Sequence, residues 1–271
     1  MTRLLRAADH PFFDNDGLPI ALAHRGGGLL TGHEVVGVEN SMVAFQAAVD
    51  LGYRYVETDV HATRDGVLVA FHDPTLERLT GSAGPIRDLT YDDLRHTLIA
   101  GREPIPTLDE LLTTWPDLRL NIDAKAAGAI APLAATIARH RAWERVCVAS
   151  FSPRHLRVLR RLLGPQVATA YSAVGVVALR LLPASRLRAL ALGGFAQAAQ
   201  VPVRHGRLDI VTPAFIDRAH QLGKHVHVWT IDDPQEVTRL LDLGVDAIIT
   251  DRIDVLRDVY RARGIWWEAT V

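Results

Sequence analysis

The chain has 271 residues, enough for one large domain or two small ones, and its 48% apolar and 23% charged content is that of an ordinary globular enzyme. A formal net charge of −1 leaves no overall basic field to hold nucleic acid. The single cysteine, Cys147, excludes an intrachain disulfide, and its apolar run Val146-Cys147-Val148-Ala149 predicts a buried strand residue. The first ten residues lack the apolar core of a signal peptide. The most apolar later stretch, Val174 to Leu192, is interrupted by Arg180, Pro183, Arg186 and Arg188. No membrane span is therefore expected, and a cytoplasmic location is.

Short apolar runs alternate with helical patterns, which predicts parallel strands joined by helical crossovers. Ile20 to Ala23 is the first strand and runs into His24-Arg25-Gly26-Gly27-Gly28. A helix over about Asn40 to Leu51 ends at Gly52, a natural residue just past a helix end. Tyr53 to Val60 is the second strand. Asp65-Gly66 between β-prone runs predicts a two-residue hairpin loop, in which Arg64 pairs with Val67 and Asp59 faces His72. Residues 74–106 hold no long helical period, only a short helix within Thr90 to Leu98, and read as an insertion over a barrel mouth. Thr107 to Trp115 is helical, with Thr107 as N-cap and Glu110 completing a capping box.

Arg119 to Asp123, Arg145 to Phe151 and Val167 to Tyr171 are the third to fifth strands, with helices over roughly 129–141 and 153–163. Two segments qualify as the sixth strand, Gln197 to Val203 and Asp209 to Val211. Lys224 to Thr230 and Ala247 to Thr250 are the seventh and eighth, with helices near 214–222, 234–243 and 255–263. Eight strands in βα alternation predict a TIM (β/α)8 barrel, which typically needs about 250 residues. An open doubly wound sheet fits less well, because polar residues sit at the C-terminal ends of many strands and not at one switch point. The whole chain, 1–271, is expected to form this one domain.

Those polar residues carry the chemistry. Glu57 and Asp59 alternate on one face of the second strand, and two carboxylates inside a barrel need a partner. A divalent cation is the natural one, with Asp123 at the end of the neighbouring third strand as a third ligand. All-oxygen ligation favours Mg²⁺ or Ca²⁺ over Zn²⁺. Lys125 is either a salt-bridge partner of these acids or a cation for a substrate phosphate. Arg25, after the first strand, offers a donor fork that matches two phosphate oxygens. Gly26 to Gly28 would let a ligand approach the backbone. His24 and His72, flanking the metal, make a plausible acid–base pair. His61, His225 and His227 are candidates for proximity to the site. Trp229, ending the seventh strand, either walls the pocket or packs in the barrel.

The ordered set of short motifs resembles the glycerophosphodiester phosphodiesterases, within the wider group of phospholipase-C-like barrels. The set comprises His24-Arg25-Gly26, Glu39-Asn40-Ser41, Glu57-Thr58-Asp59-Val60, Asp65-Gly66 and Phe71-His72-Asp73-Pro74-Thr75-Leu76. It continues with Ile105-Pro106-Thr107-Leu108, Leu120-Asn121-Ile122-Asp123-Ala124-Lys125, Ser150-Phe151, Val228-Trp229-Thr230 and Ile248-Ile249-Thr250-Asp251-Arg252. The resemblance implies that His24 and His72 are the catalytic pair, that Glu57 and Asp59 bind metal and that Arg25 and Lys125 hold phosphate. This chain departs from the family in two places. Aspartate stands at 123 where glutamate is usual, and Val38 stands where proline often precedes the Glu-Asn pair, in a longer loop.

The implied reaction is hydrolysis of a small-molecule glycerophosphodiester to glycerol phosphate and an alcohol, by water or through a cyclic phosphate. One rival is a lysophospholipase D-type activity on lysolipids, for which Val174, Val176, Val177, Leu181 and Leu182 would supply an apolar slot. The other is a non-catalytic barrel that binds phosphoryl ligands, and it would be favoured by loss of a histidine or carboxylate, none of which is lost.

Overall fold

The computed structural model describes residues 5–31, 34–36 and 38–267. Eight parallel strands follow one another around a ring in sequence order. They are β1 (Ile20–Ala23), β2 (Tyr55–Ala62), β3 (Arg119–Ala124), β4 (Val146–Ala149), β5 (Ala168–Thr169), β6 (Ala198–Pro202), β7 (His225–Trp229) and β8 (Ala247–Thr250). β1 pairs with both β2 and β8. The ring closes between β5 and β6 through a parallel bridge, Ala170 to Ala198, where the Tyr171 N–H donates to the Ala198 carbonyl at 2.9 Å. The sixth strand is thus the first of its two candidate segments. Asp209 belongs instead to a short ribbon in which Arg204–His205 pairs with Leu208–Asp209.

Strand sequences such as Ile-Ala-Leu-Ala and Ala-Ile-Ile-Thr are apolar on both faces, as a sheet covered by helices on one side and its own interior on the other requires. The helices of seven residues or more are α1 (Met42–Asp50), α2 (Leu108–Thr114), α3 (Ile130–Arg139), α4 (Pro153–Leu163), α5 (Ala173–Leu181), α6 (Ser185–Leu192), α7 (Pro213–Gln221), α8 (Pro234–Asp242) and α9 (Ile253–Ala262). α4, α7 and α8 each start with proline behind a capping Ser152, Thr212 or Asp233, so their first turns are fixed by local sequence. Thr107 and Glu110 form the expected capping box at α2. No helix among the described residues is long and apolar enough to cross a membrane.

The hairpin after β2 departs from the expected register. Val60 lies opposite Ala70 and Ala62 opposite Leu68, so Asp59 faces Phe71, whose N–H donates to the Asp59 carbonyl, and not His72. The loop holds three residues, Arg64, Asp65 and Gly66, with Gly66 left-handed at φ +85°. The Thr63 hydroxyl fixes this choice: it accepts the Val67 N–H at 3.0 Å and donates to Asp65 at 2.6 Å, which closes the wider loop. The 74–106 excursion has a small core of its own, in which Leu76, Ile86, Leu94, Ile99 and Ile105 pack on Val69 and Phe71 of the hairpin.

At the N-terminal end of the strands, Phe12 and Phe13 fill the barrel interior against Ile20, Tyr55, Ala198 and Ala247. His225 and His227 stack edge-on around Phe13, with ring centroids 5.0 and 5.8 Å away, so they are barrel packing and not part of the mouth. Burial pushes His227 down to about 3, which keeps it neutral. Lys224, also buried, donates to the carbonyls of Leu5, Gly193 and Ala196 and so ties the N-terminal segment to the barrel floor. Lys224→Ala strands those three acceptors. It should lower stability by about 2–4 kcal/mol in urea unfolding, while turnover per folded molecule, expected from residues at the opposite end, stays at the parental level.

Candidate active site

The register between β2 and β3 sets Asp59 beside Asp123 and Glu57 beside Asn121, so all three acids project at the C-terminal end of adjacent strands. All are buried. Lys125 lies between the two aspartates, its Nζ 2.8 Å from Asp59 Oδ1 and 2.7 Å from Asp123 Oδ2. The other Asp59 oxygen accepts from Asn40 Nδ2 at 3.3 Å and lies 3.1 Å from Arg25 Nε, an ion pair without hydrogen-bond alignment. Burial alone would raise Asp59, but Lys125 and Arg25 outweigh it and hold the carboxyl below its usual range. Asp123, with burial dominant over Lys125, is raised, and its buried Oδ1 has no partner.

Glu57 is the least compensated of the three. It accepts the Arg25 N–H at 3.2 Å and lies 3.8 Å from His24 Nε2. Burial and the nearby Asp59 push its pKa up to about 8. Among the described residues, no three His, Cys, Asp or Glu side chains converge closely enough to hold a metal ion as they stand. The donor set nonetheless suits a hard cation, because it offers buried carboxylate oxygens with one orphaned atom and one carboxyl that burial disfavours ionising.

The backbone around Arg25 is built for this arrangement. Arg25 and Asn40 both take left-handed φ, +54° and +57°, and the Asn40 N–H donates to the Arg25 carbonyl at 2.8 Å. Asparagine tolerates that conformation, and its buried side chain accepts from Thr58 Oγ1 at 2.8 Å while donating to Asp59. Gly26 and Gly27 have a packing reason: a Cβ would meet Phe45 at 2.9 Å or Ile253 at 2.5 Å, and both residues have positive φ. Their nearest neighbours are therefore α1 and α9. Of the longer loop 27–38, residues 32, 33 and 37 lie outside the described residues.

Each candidate histidine has one nitrogen fixed by an aspartate. His24 Nδ1 donates to Asp251 Oδ1 at 2.7 Å, and His72 Nδ1 donates to Asp73 Oδ1 at 2.6 Å. An ionised carboxylate can only accept, so the proton sits on Nδ1 and leaves Nε2 for chemistry. Burial would depress His24, but Asp251 and Glu57 outweigh it and raise its pKa above the usual imidazole value. Although His72 does not lie opposite Asp59 in the ladder, the chain turns after Ala70 and brings its imidazole close enough to act electrostatically on both Asp59 and Asp123. His61, on β2, holds that turn by donating from Nε2 to the His72 carbonyl at 3.0 Å.

A second ring of charge links the two sides. Arg25 donates to Glu39 at 2.8 Å, Glu39 accepts from Arg78 at 2.6 Å, and Arg78 donates to Asp73 at 2.5 Å. Arg78 comes from the 74–106 insertion, which no motif spacing singles out. Asp251 follows β8, the strand beside β1, and that adjacency alone points to His24. Trp229 is half-buried at the end of β7 and meets Phe151 edge-on at 6.2 Å, and Lys125 Nζ lies 5.9 Å from the Phe151 ring centre. Of the five aliphatic residues that could supply an apolar slot, Val176 packs on the barrel core, and Val174, Val177 and Leu181 are solvent-exposed.

A barrel of this topology with acids, histidines and cations gathered at its C-terminal mouth has the layout of a TIM-barrel enzyme. Residues 24–255 match the model of the glycerophosphoryl diester phosphodiesterase family, and the chain belongs to that family. It is 44% identical over 256 residues to the "Probable glycerophosphodiester phosphodiesterase 2" of Mycobacterium tuberculosis, covering 94% of this chain and 95% of that protein. A glycerophosphodiester phosphodiesterase of Caldanaerobacter subterraneus is 29% identical over 241 residues, covering 83% of this chain and 93% of that one. The fold is shared with a crystal structure of a Parabacteroides distasonis glycerophosphodiester phosphodiesterase. That structure gives a TM-score of 0.73 at 24% identity, over 92% of this chain and all of that one.

The His24–Asp251 pair gives a prediction with a sign. Asp251 raises His24, so Asp251→Ala should move the His24 imidazole titration, followed by NMR, to lower pH. An unmoved or upward-shifted titration would show that Asp251 does not act on His24.

Proposed function

We propose that the protein hydrolyses glycerophosphodiesters to glycerol phosphate and an alcohol, with His24 and His72 as its acid–base pair. The observation that carries this reading is the pair of imidazoles, each tied through Nδ1 to an aspartate with Nε2 left free, beside buried carboxylates at one barrel mouth. Family membership supports the substrate class. Glu57, Asp59 and Asp123 would hold a divalent cation, Mg²⁺ or Ca²⁺, which when bound would draw charge from the phosphoryl oxygens.

Arg25 and Lys125 supply the fixed positive charge of the site. Both are engaged by carboxylates, and both sit where a phosphodiester anion would meet them at the mouth. Arg25 is held in place from two sides, by Glu39 and Asp59, so its guanidinium is pre-oriented and little side-chain entropy is lost on binding. One Nε2 takes the proton of the attacking hydroxyl, from water or a neighbouring glycerol hydroxyl, as its P–O bond forms. The other, as an imidazolium, gives its Nε2 proton to the departing alkoxide as its P–O bond breaks, and in the glycerol-hydroxyl route water then opens the cyclic phosphate to glycerol phosphate. Asp251 and Asp73 hold the Nδ1 proton of each ring, so Nε2 is the atom that accepts a proton in the neutral ring and gives one in the imidazolium, and His61 fixes the backbone of His72. Trp229 and Phe151 wall the rim for the glycerol or head group.

A panel of glycerophosphodiesters and lysolipids, each with Mg²⁺ or Ca²⁺ and with a chelator, tests the reading. Turnover of a glycerophosphodiester that the chelator abolishes and added cation restores is expected. Asp123→Glu should retain activity. Asp123→Ala should weaken cation binding measured by calorimetry and lose turnover at limiting metal. Equal cation affinity in Asp123→Ala and the parent would remove Asp123 from the ligand set, and turnover of lysolipids alone would replace the substrate assignment.

A further inference from the structure

Between Arg145 and Leu208 the chain carries ten arginines and neither aspartate nor glutamate, although the whole protein balances 30 basic against 31 acidic residues. Some of these arginines serve the fold. Arg145, Arg160 and Arg188 donate to backbone carbonyls, and Arg204 pairs with Asp209. Arg154, Arg157 and Arg161 on α4, Arg186 on α6, and Arg207 are exposed, and none has an ion-pair partner among the described residues. Five unpaired guanidinium groups in an acid-free tract give this part of a nearly neutral protein a local excess of positive charge.

The same stretch of chain also exposes apolar side chains. Val174, Val177 and Leu181 recur at i, i+3 and i+7, which places them on one stripe of α5, and they are 63, 53 and 70% exposed. Leu187 and Leu190 form the matching pair on α6, at 52 and 74%. On α4, Leu162 is exposed next to Arg161. Leu179 is buried and Val176 packs on the core, so the opposite stripe of α5, with Val174, Val177 and Leu181, faces away from the barrel. α5 packs on α6, and the Arg160 guanidinium, 5.9 Å from the Phe195 ring centre, joins α4 to the end of α6. α4 therefore adjoins the α5–α6 pair at this point.

We propose that this face docks on the surface of an anionic phospholipid bilayer, the aliphatic side chains entering the acyl boundary and the arginines meeting lipid phosphates. Exposed large aliphatics and unpaired arginines, drawn from one stretch of chain that carries no acid, fit that environment. A second copy of the chain fits badly, because a two-fold contact would set this arginine-rich face against itself. Single-stranded nucleic acid fits badly too, because base recognition without sequence preference uses aromatic platforms where this face offers leucine and valine. α5 begins just beyond the C-terminal end of β5, so the docked face borders the mouth that carries the carboxylates. The inference does not depend on the catalytic assignment.

The test uses the full chain with vesicles of phosphatidylcholine alone or with one third phosphatidylglycerol, read by co-sedimentation. Binding to the anionic vesicles only, weakened by high salt, is expected. Leu181→Asp/Leu190→Asp should abolish it. Arg157→Gln/Arg161→Gln should lower the partition about fivefold per arginine, since each basic residue near such a surface contributes about 1 kcal/mol. Both variants should keep the parental melting temperature, and the arginine pair tests the proposal independently if the aspartates perturb folding. Equal or absent binding to the two vesicle types would overturn the proposal. So would binding to anionic vesicles that the leucine variants leave intact, a dimer in light scattering that Leu190→Asp dissociates, or tighter binding to an oligonucleotide than to the vesicles.

Discussion

Everything at the barrel mouth depends on how two buried aspartates on neighbouring strands are kept apart electrically. Asp59 and Asp123 are in register, so their side chains emerge side by side in a place where water cannot solvate them. The Lys125 ammonium between them offsets that repulsion, and Arg25 takes the far oxygen of Asp59. Removing one member of such a buried set typically costs about 3–5 kcal/mol, because the others are left uncompensated. The arrangement is consequently stiff. It fixes the direction of Arg25, and Arg25 in turn fixes Glu39, Arg78 and Asp73, the residue that holds His72. Electrostatic balance around one lysine therefore propagates to the orientation of an imidazole contributed by a different part of the chain.

Glu57 stands outside that balance. Its carboxyl has no lysine or arginine side chain of its own, and burial holds it toward the neutral form. A site that is charge-balanced at two carboxylates and unbalanced at a third is suited to accept further positive charge. That property gives the proposed cation a physical reason independent of family resemblance.

The fold was legible because its signals are local. Apolar runs of four to six residues, the proline and Ser/Thr/Asp caps of α4, α7 and α8, and the Thr107–Glu110 box each announce an element without tertiary help. The ends of β2 were harder, since the loop count turned on the Thr63 hydroxyl, a side-chain bond that competes with the usual Asp-Gly preference. The sixth strand was ambiguous because Ala198–Pro202 and the segment near Asp209 have similar β character, and only ring closure at Ala198 separates them. At the mouth, the alternation of Glu57 and Asp59 and the strand-end placement of His24, Arg25 and Asp123 could be read from spacing alone. Arg78 and Asp73 could not be linked to Glu39, because that contact spans 39 residues and joins the insertion to the loop before α1. His225 and His227 misled for the opposite reason: a strand places histidines on an inward face without saying at which depth, and Phe13 occupies the floor where they point.

The central claim is that His24 and His72, oriented by Asp251 and Asp73, serve one reaction at one mouth. The most direct measurement is kcat/KM on a glycerophosphodiester for His24→Ala, His72→Ala and the double variant, each corrected for folded fraction and assayed at saturating cation. Each single variant should lose roughly 10²–10⁴-fold, and the double variant much less than the product of the two. Parental turnover in either single variant, or losses that multiply, would contradict the account.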